Sequence, residues 1–233
     1  MKTYSDYAKE KMIELFNSHE DEVGSELKKL HPEKYKDYKS TDCITYSLNV
    51  ISYAFEKSGN SKAAKNVWGL GKRGVDLAKY LVNSHGWKGV YINPDSVHPA
   101  DAQAEHTFSS HLATRTCKYY QIPLHFRVDN YAPTPRTNPA YRQLNRNAGV
   151  TSLNKVDITS LEQVKFGFGL SRGGMHTWVF SKGKVYEVHW DKIGSGLYEA
   201  TSLRRFPWLS GAIVIPSDQG AFLSASSKLK CGG

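Results

Sequence analysis

One amphipathic pattern restricts the fold of this chain more than any other stretch of its sequence. Between Cys43 and Gly59, apolar residues recur at the spacing of a helix that buries one face. These apolar positions are Ile44, Leu48, Val50, Ile51, Ala54 and Phe55. The Ser-Thr-Asp run at 40–42 offers three good N-cap residues, and Gly59 is a natural helix stop. The pattern therefore predicts a buried central helix with Cys43 in its first turn.

The other segments predict helices towards the N-terminus and strands towards the C-terminus. Helical patterns cover 2–17, 20–31, 61–85 (interrupted by glycines), 109–119 and the single turn 160–164. Strand patterns cover 89–92, 123–128, 164–170, 176–181, 184–190 and 211–215. Helices followed by an antiparallel sheet are typical of an α+β fold. We expect one domain over 1–233, with N-terminal helices (1–39), a Cys-bearing helix (40–59), a mixed insertion (60–150), an antiparallel sheet (151–220) and a tail (221–233).

Three side chains in this arrangement suit nucleophilic catalysis by a thiol. The positive end of the helix dipole and the unpaired N–H groups of the first turn stabilise a thiolate at Cys43, and its own N–H can serve an oxyanion. His176 and His189 flank the short turn of a strand–turn–strand pattern, within side-chain reach of each other. His176 is predicted to be the base and His189 the group that orients it, with Asp191 as the alternative orienter.

The same residues resemble the NlpC-like cysteine peptidases. Asp42-Cys43-Ile44-Thr45-Tyr46 is similar to their Asp-Cys-Ser-Gly-Leu start, and the stretch from His176 to His189 resembles their His-bearing hairpin. The resemblance implies a papain-like core that cleaves amide bonds in peptidoglycan stem or cross-link peptides. It also implies Cys43 as nucleophile, His176 as base and His189 as third polar residue. The chain departs from the family at Ile44-Thr45 and in the long gap between cysteine and histidine.

A second resemblance changes the expected substrate but not the expected nucleophile. His176-Thr177-Trp178-Val179 is similar to the His-Ala-Trp-Val of transglutaminase-like enzymes, whose next strand ends in Val-Asp. That family shares the triad of cysteine, histidine and polar residue but acts on protein glutamine, which makes a transglutaminase-like or deamidase toxin the alternative. Under either resemblance, we expect Asp42, Trp178 and Trp190 to line the substrate groove.

Composition restricts the partners without choosing among them. The formal charge is +9 and the isoelectric point about 9.3, a balance that favours an anionic partner such as nucleic acid, a membrane surface or a cell-wall polymer. A non-catalytic basic binding module therefore stays open as a further alternative. On the peptidase interpretation no nucleic acid is expected, and the partners are a peptidoglycan or peptide substrate and a cognate immunity protein.

The cysteines and the N-terminus add expectations about cofactors and location. Three cysteines without a Cys-x-x-Cys pair predict neither a disulfide framework nor a metal site, and no cofactor is expected. The sequence shows neither an apolar secretory core nor a membrane-spanning run. We therefore expect a chain made in the cytoplasm and carried by a secretion system, for example type VI, to the periplasm or cytosol of a target cell as an antibacterial effector.

Overall fold

The computed structural model describes nine stretches of the chain. These are residues 1–18, 32, 42–71, 73–92, 122–128, 153–171, 176–190, 196–206 and 211–219. The helices predicted at 20–31 and 109–119, the tail 221–233 and most of 93–150 lie outside the described residues.

Helices dominate the described part before residue 86, and strands dominate the part after it. The helices are α1 (Tyr4–Ser18), α2 (Cys43–Lys57), α3 (Ser61–Gly69), α4 (Gly74–His85) and the short α5 (Ile158–Leu161). The strands are β1 (Lys88–Ile92), β2 (Phe126–Val128), β3 (Asn154–Val156), β4 (Gly167–Ser171), β5 (His176–Ser181), β6 (Lys184–Trp190), β7 (Gly196–Ser202) and β8 (Gly211–Ile215). Two 3₁₀ turns follow β7 and β8, at Leu203–Arg205 and Ser217–Gln219. The predicted α+β class is confirmed.

The eight strands form one mixed sheet with the order β3-β2-β1-β8-β4-β5-β6-β7. Neighbours from β1 through β8 to β7 are antiparallel, whereas β1, β2 and β3 run parallel to one another. In the range 151–220, for which an antiparallel sheet is predicted, strands β4 to β8 pair in the antiparallel manner, whereas β3 joins β2 in the parallel manner. Strand β1 comes from the segment 60–150 and bonds to β8, so part of that segment belongs to the sheet itself.

The two faces of the sheet pack into two separate apolar clusters. On one face, helices α1 to α4 form a cluster with Phe168, Val179 and Val188, in which α3 packs on α2. On the other face, Trp178 and Phe180 pack in a second cluster, whose other members include Val185, Ile158, Leu161, Leu203 and Phe206. Adjacent residues of β5 thus enter opposite clusters, as the two-residue period of a strand requires. Because both faces are covered, all six residues of β5 are buried.

Gly169 provides a test of how tightly the second cluster is packed. It lies opposite Trp178 in the β4–β5 ladder, and a Cβ at this position would stand 2.3 Å from two atoms of the indole. We expect Gly169→Ala to lower the free energy of unfolding by about 1–3 kcal/mol, because the buried ring has no free space to enter. The measurement is urea denaturation followed by circular dichroism.

Gly69 is the matched control for this substitution. A Cβ on Gly69 has no neighbouring heavy atom within 4 Å, and the residue ends helix α3. We expect Gly69→Ala to leave stability unchanged or raise it by up to about 1 kcal/mol, since alanine reduces the entropy of the unfolded chain. Equal destabilisation by the two substitutions would contradict the packing argument.

Candidate active site

A capping box fixes where helix α2 begins. Asp42 accepts a hydrogen bond from the backbone N–H of Thr45 at 2.9 Å, and the Thr45 hydroxyl accepts one from the backbone N–H of Asp42 at 2.9 Å. The backbone N–H groups of Asp42 and Thr45 thereby both have acceptors, and Cys43 is the first residue of the helix. The helix packs on β5 and β6. This packing brings the first turn of α2 towards the start of β5.

Cys43 is a free, half-buried thiol beside that strand, where His176 and Thr177 influence it. Burial by itself raises the pKa of the thiol. The hydrogen bond and charge of His176, together with the backbone N–H of Thr177, lower it, and the net pKa lies below its ordinary value. The charged form of Cys43 is therefore favoured by two groups at the beginning of β5.

His176 lies between this thiol and a buried carboxylate. It is the first residue of β5 and is 9% exposed, and its Nε2 is 2.6 Å from Oε2 of Glu187. Burial alone lowers the pKa of the imidazole. Hydrogen bonds and charges from Cys43 and Glu187 raise it, and the result is a pKa of about 9. The arrangement favours an imidazolium between two anionic partners.

Glu187 is the member of this group that sequence reasoning missed. It lies in β6, is 3% exposed and shares the period-two face of Val185, which packs in the second apolar cluster. A carboxylate at an inward position of a strand is rare unless it is paired. The acidic residue at an apolar position of β6 was therefore the sequence signal for Glu187. The prediction instead used His189 and Asp191, at and beyond the end of the strand pattern.

The predicted orienting residues are only partly described. The backbone of His189 is paired with Leu197 of β7, while its side chain, and the whole of Asp191, lie outside the described residues. The orienting roles of His189 and Asp191 therefore stay predictions. The Nε2 atom of His176, which such a residue would hold, is bonded to Glu187 in the structure.

The three predicted groove residues have different outcomes. Trp178 is wrong as a groove residue, because it is fully buried and packs against the rings of Phe180 and Phe206. Its place on the β5 face opposite the helices explains this burial. Asp42 is half-buried, and its side chain caps helix α2. The side chain of Trp190 lies outside the described residues.

Two other features of the described residues bear on the class of site. No three of their His, Cys, Asp or Glu side chains are grouped so that they could hold a metal ion. Of the helices that the structure describes, none has the length and apolar character needed to cross a membrane.

No protein-family model, curated protein or solved structure matches this chain. The resemblances to NlpC-like and transglutaminase-like enzymes therefore remain predictions.

Proposed function

We propose that this chain is a cysteine hydrolase that cleaves amide bonds with Cys43 as nucleophile and His176 as acid and base. One observation supports the proposal above the others. A thiol in the first turn of a buried helix lies beside the buried imidazole that begins strand β5, and the two groups shift each other's pKa: that of the thiol is lowered while that of the imidazole is raised. Opposite shifts of this kind favour a thiolate–imidazolium pair, which is the reactive form of a catalytic cysteine.

The proposed reaction has two acyl-transfer steps. The Cys43 thiolate attacks the amide carbonyl carbon, and the Cys43 N–H donates to the resulting oxyanion. His176 gives its proton to the leaving amine as the C–N bond breaks, which leaves a thioester and a neutral imidazole. His176 then takes a proton from water as the water oxygen attacks the thioester. Breaking of the C–S bond releases a carboxylic acid and restores the thiolate beside the imidazolium.

Within the α+β class, we propose a papain-like core, and we propose peptidoglycan peptides as its substrate. Two findings support the fold: a Cys-bearing helix packs on the sheet, and a neighbouring strand supplies the histidine. The substrate is supported by the resemblance to NlpC-like peptidases and by the formal charge of +9, which favours an anionic polymer such as the cell wall. An antibacterial effector with an immunity partner is the role that fits this substrate.

Purified sacculi provide the direct test. The wild type should release soluble muropeptides with newly exposed amine and carboxyl ends, identified by mass spectrometry, and Cys43→Ala should release none. A second arm compares expression in the periplasm and in the cytosol of a bacterial host, and we expect growth arrest only in the periplasm. If sacculi stay intact with active, folded protein, the peptidoglycan assignment is wrong.

A second candidate function is favoured by Glu187. A carboxylate contacts the far nitrogen of His176, and transglutaminase-like enzymes, which the His176–Val179 stretch resembles, end the corresponding strand in Val-Asp. A deamidase or transglutaminase acting on protein glutamine would use the same thioester chemistry, with ammonia as the first leaving group. Conversion of glutamine to glutamate in a test protein, with intact sacculi, would select this candidate.

The charge state of Cys43 can be measured without any substrate. We expect the alkylation rate of Cys43 by iodoacetamide to rise with pH at a lower midpoint in the folded protein than in the urea-denatured chain, because only the thiolate reacts. In His176→Ala the midpoint should rise, since the chief group that lowers the pKa is gone. A folded midpoint equal to the denatured one would instead favour the non-catalytic binding module.

A further inference from the structure

Glu187 differs from Glu199, the other acidic residue of the eight described strands, in where its charge lies. The carboxylate is almost completely buried, and its Oε2 is 2.6 Å from Nε2 of His176. Glu199, which is directly opposite Glu187 in the β6–β7 ladder, is exposed to solvent. The two residues have the same side chain on adjacent strands, but only Glu187 contacts the imidazole.

Burial makes the charge of Glu187 dependent on its partner. Taking a carboxylate out of water is unfavourable unless a cation and hydrogen bonds compensate. The imidazolium of His176 is a cation at hydrogen-bonding distance from this carboxylate. Cys43 approaches the same ring from helix α2. His176 therefore lies between two groups that both favour its protonated form.

The chemistry of a carboxylate also determines which ring nitrogen of His176 can exchange a proton. An ionised carboxylate only accepts hydrogen bonds, so the Nε2 atom facing Glu187 must carry a hydrogen in both charge states of the ring. Nδ1 is then the nitrogen left to exchange a proton. A histidine in the orienting position would impose no such choice, because either of its nitrogens can donate or accept.

We propose that Glu187 is the positioning residue of the site: it holds Nε2–H of His176 and leaves Nδ1 as the atom that exchanges protons with Cys43, the leaving amine and water. This inference rests on the proposed hydrolase function for its catalytic meaning. It assigns to a buried carboxylate the role that the sequence suggested for His189. The site then groups a thiol whose ionised form is favoured, an imidazole whose protonated form is favoured, and a carboxylate.

The test is a ¹⁵N NMR titration of His176 in histidine-labelled protein, with no substrate present. Glu187→Gln keeps a hydrogen-bond acceptor but removes the charge, and should lower the pKa of His176 by at least about 1 unit, since a nearby opposite charge shifts a pKa by roughly 1–3 units. Glu187→Asp keeps the charge but shortens the reach, and should give a smaller decrease. In wild type above the midpoint, the ring should show the Nε2–H tautomer.

Glu199→Gln is the matched control, because it removes the same charge from the position directly opposite. We expect it to leave the His176 midpoint within about 0.3 units of wild type, since an exposed charge acts through solvent. An unchanged midpoint in Glu187→Gln, an equal shift in Glu199→Gln, or an Nδ1–H tautomer in the wild type would each overturn the assignment.

Activity separates this inference from the proposed function. Given hydrolysis by the wild type, Glu187→Gln should lower kcat by roughly 10²- to 10⁴-fold with little change in KM, as expected when the group that orients a catalytic histidine is neutralised. Full activity in Glu187→Gln with none in Cys43→Ala would overturn the role of Glu187 alone. Absence of hydrolysis in the wild type would overturn the proposed function, while the NMR titration would still report on Glu187.

Discussion

Replacing Cys43 with alanine is expected to reduce amide hydrolysis by this protein by on the order of 10⁴- to 10⁶-fold, the size of loss that follows removal of a covalent nucleophile. The reason is that no thioester can form. Formation and hydrolysis of the thioester are then replaced by one slower step, the direct attack of water on the amide. The decrease should appear in kcat, because Cys43 forms its bond only after the substrate is bound. The assay is muropeptide release from sacculi, followed over time at saturating substrate.

The control for this substitution concerns the fold of the first helical turn. Cys43 is only half-buried, and the capping box that begins α2 is formed by Asp42 and Thr45. The Cys43→Ala protein should therefore melt within a few degrees of wild type, because alanine is the best helix former. Comparable hydrolysis by wild type and Cys43→Ala, at matched stability, would remove the thiol from the mechanism.

Most of the described helices and strands could be predicted from the sequence because they follow strong local rules. The pattern around α2, the glycine break between α3 and α4 and the strands at β5, β6 and β8 all agree with the structure. Strand β7 was missed because it is an edge strand in which Tyr198 to Ala200 are partly or fully exposed, so it lacks the apolar alternation of a half-buried strand.

Pairing between distant strands could not be read from local patterns. Strand β3 is three residues long, and its place beside β2 depends on a parallel contact between segments far apart in sequence. Strand β1 was predicted as a strand, but nothing in its sequence shows that β8 is its neighbour. Such partners are chosen by the shared core rather than by local sequence.

For the candidate site, the sequence indicated which residue types are present, but it could not indicate which face of the sheet each side chain enters. Cys43 and His176 were found because a helix start and a strand start constrain where they lie, and in the structure each of the two shifts the pKa of the other. Trp178 was misassigned because period-two alternation does not say which face carries the helices. Glu187 was overlooked for the same reason: it points into the protein, where a buried carboxylate requires a partner that only the tertiary structure identifies.

His176→Ala is expected to destabilise the folded protein by about 3–5 kcal/mol near pH 6, the usual cost of removing one partner from a buried ion pair. The substitution leaves the Glu187 carboxylate buried without its imidazolium. The measurement is urea denaturation of His176→Ala, Glu187→Gln and the double variant, all in a Cys43→Ala background so that the thiol does not titrate. Loss of stability below about 1 kcal/mol in His176→Ala would contradict the pairing.

The pH dependence and the double variant distinguish a charge effect from lost packing. The pKa of His176 is raised in the folded state, from 6.5 to about 9 with Cys43 present. Its stabilisation is therefore complete below pH 6.5 and is lost as pH rises through the folded pKa. The difference in unfolding free energy between His176→Ala and its parent should therefore shrink as the pH rises through this interval. In the Cys43→Ala background the thiolate is absent, so the upper end of the interval lies below pH 9. Adding Glu187→Gln should recover stability, with a coupling of about 1–3 kcal/mol, because the buried carboxylate that lost its imidazolium is then removed. Strict additivity, or a deficit independent of pH, would mean that His176 stabilises the fold by its volume and not by its charge.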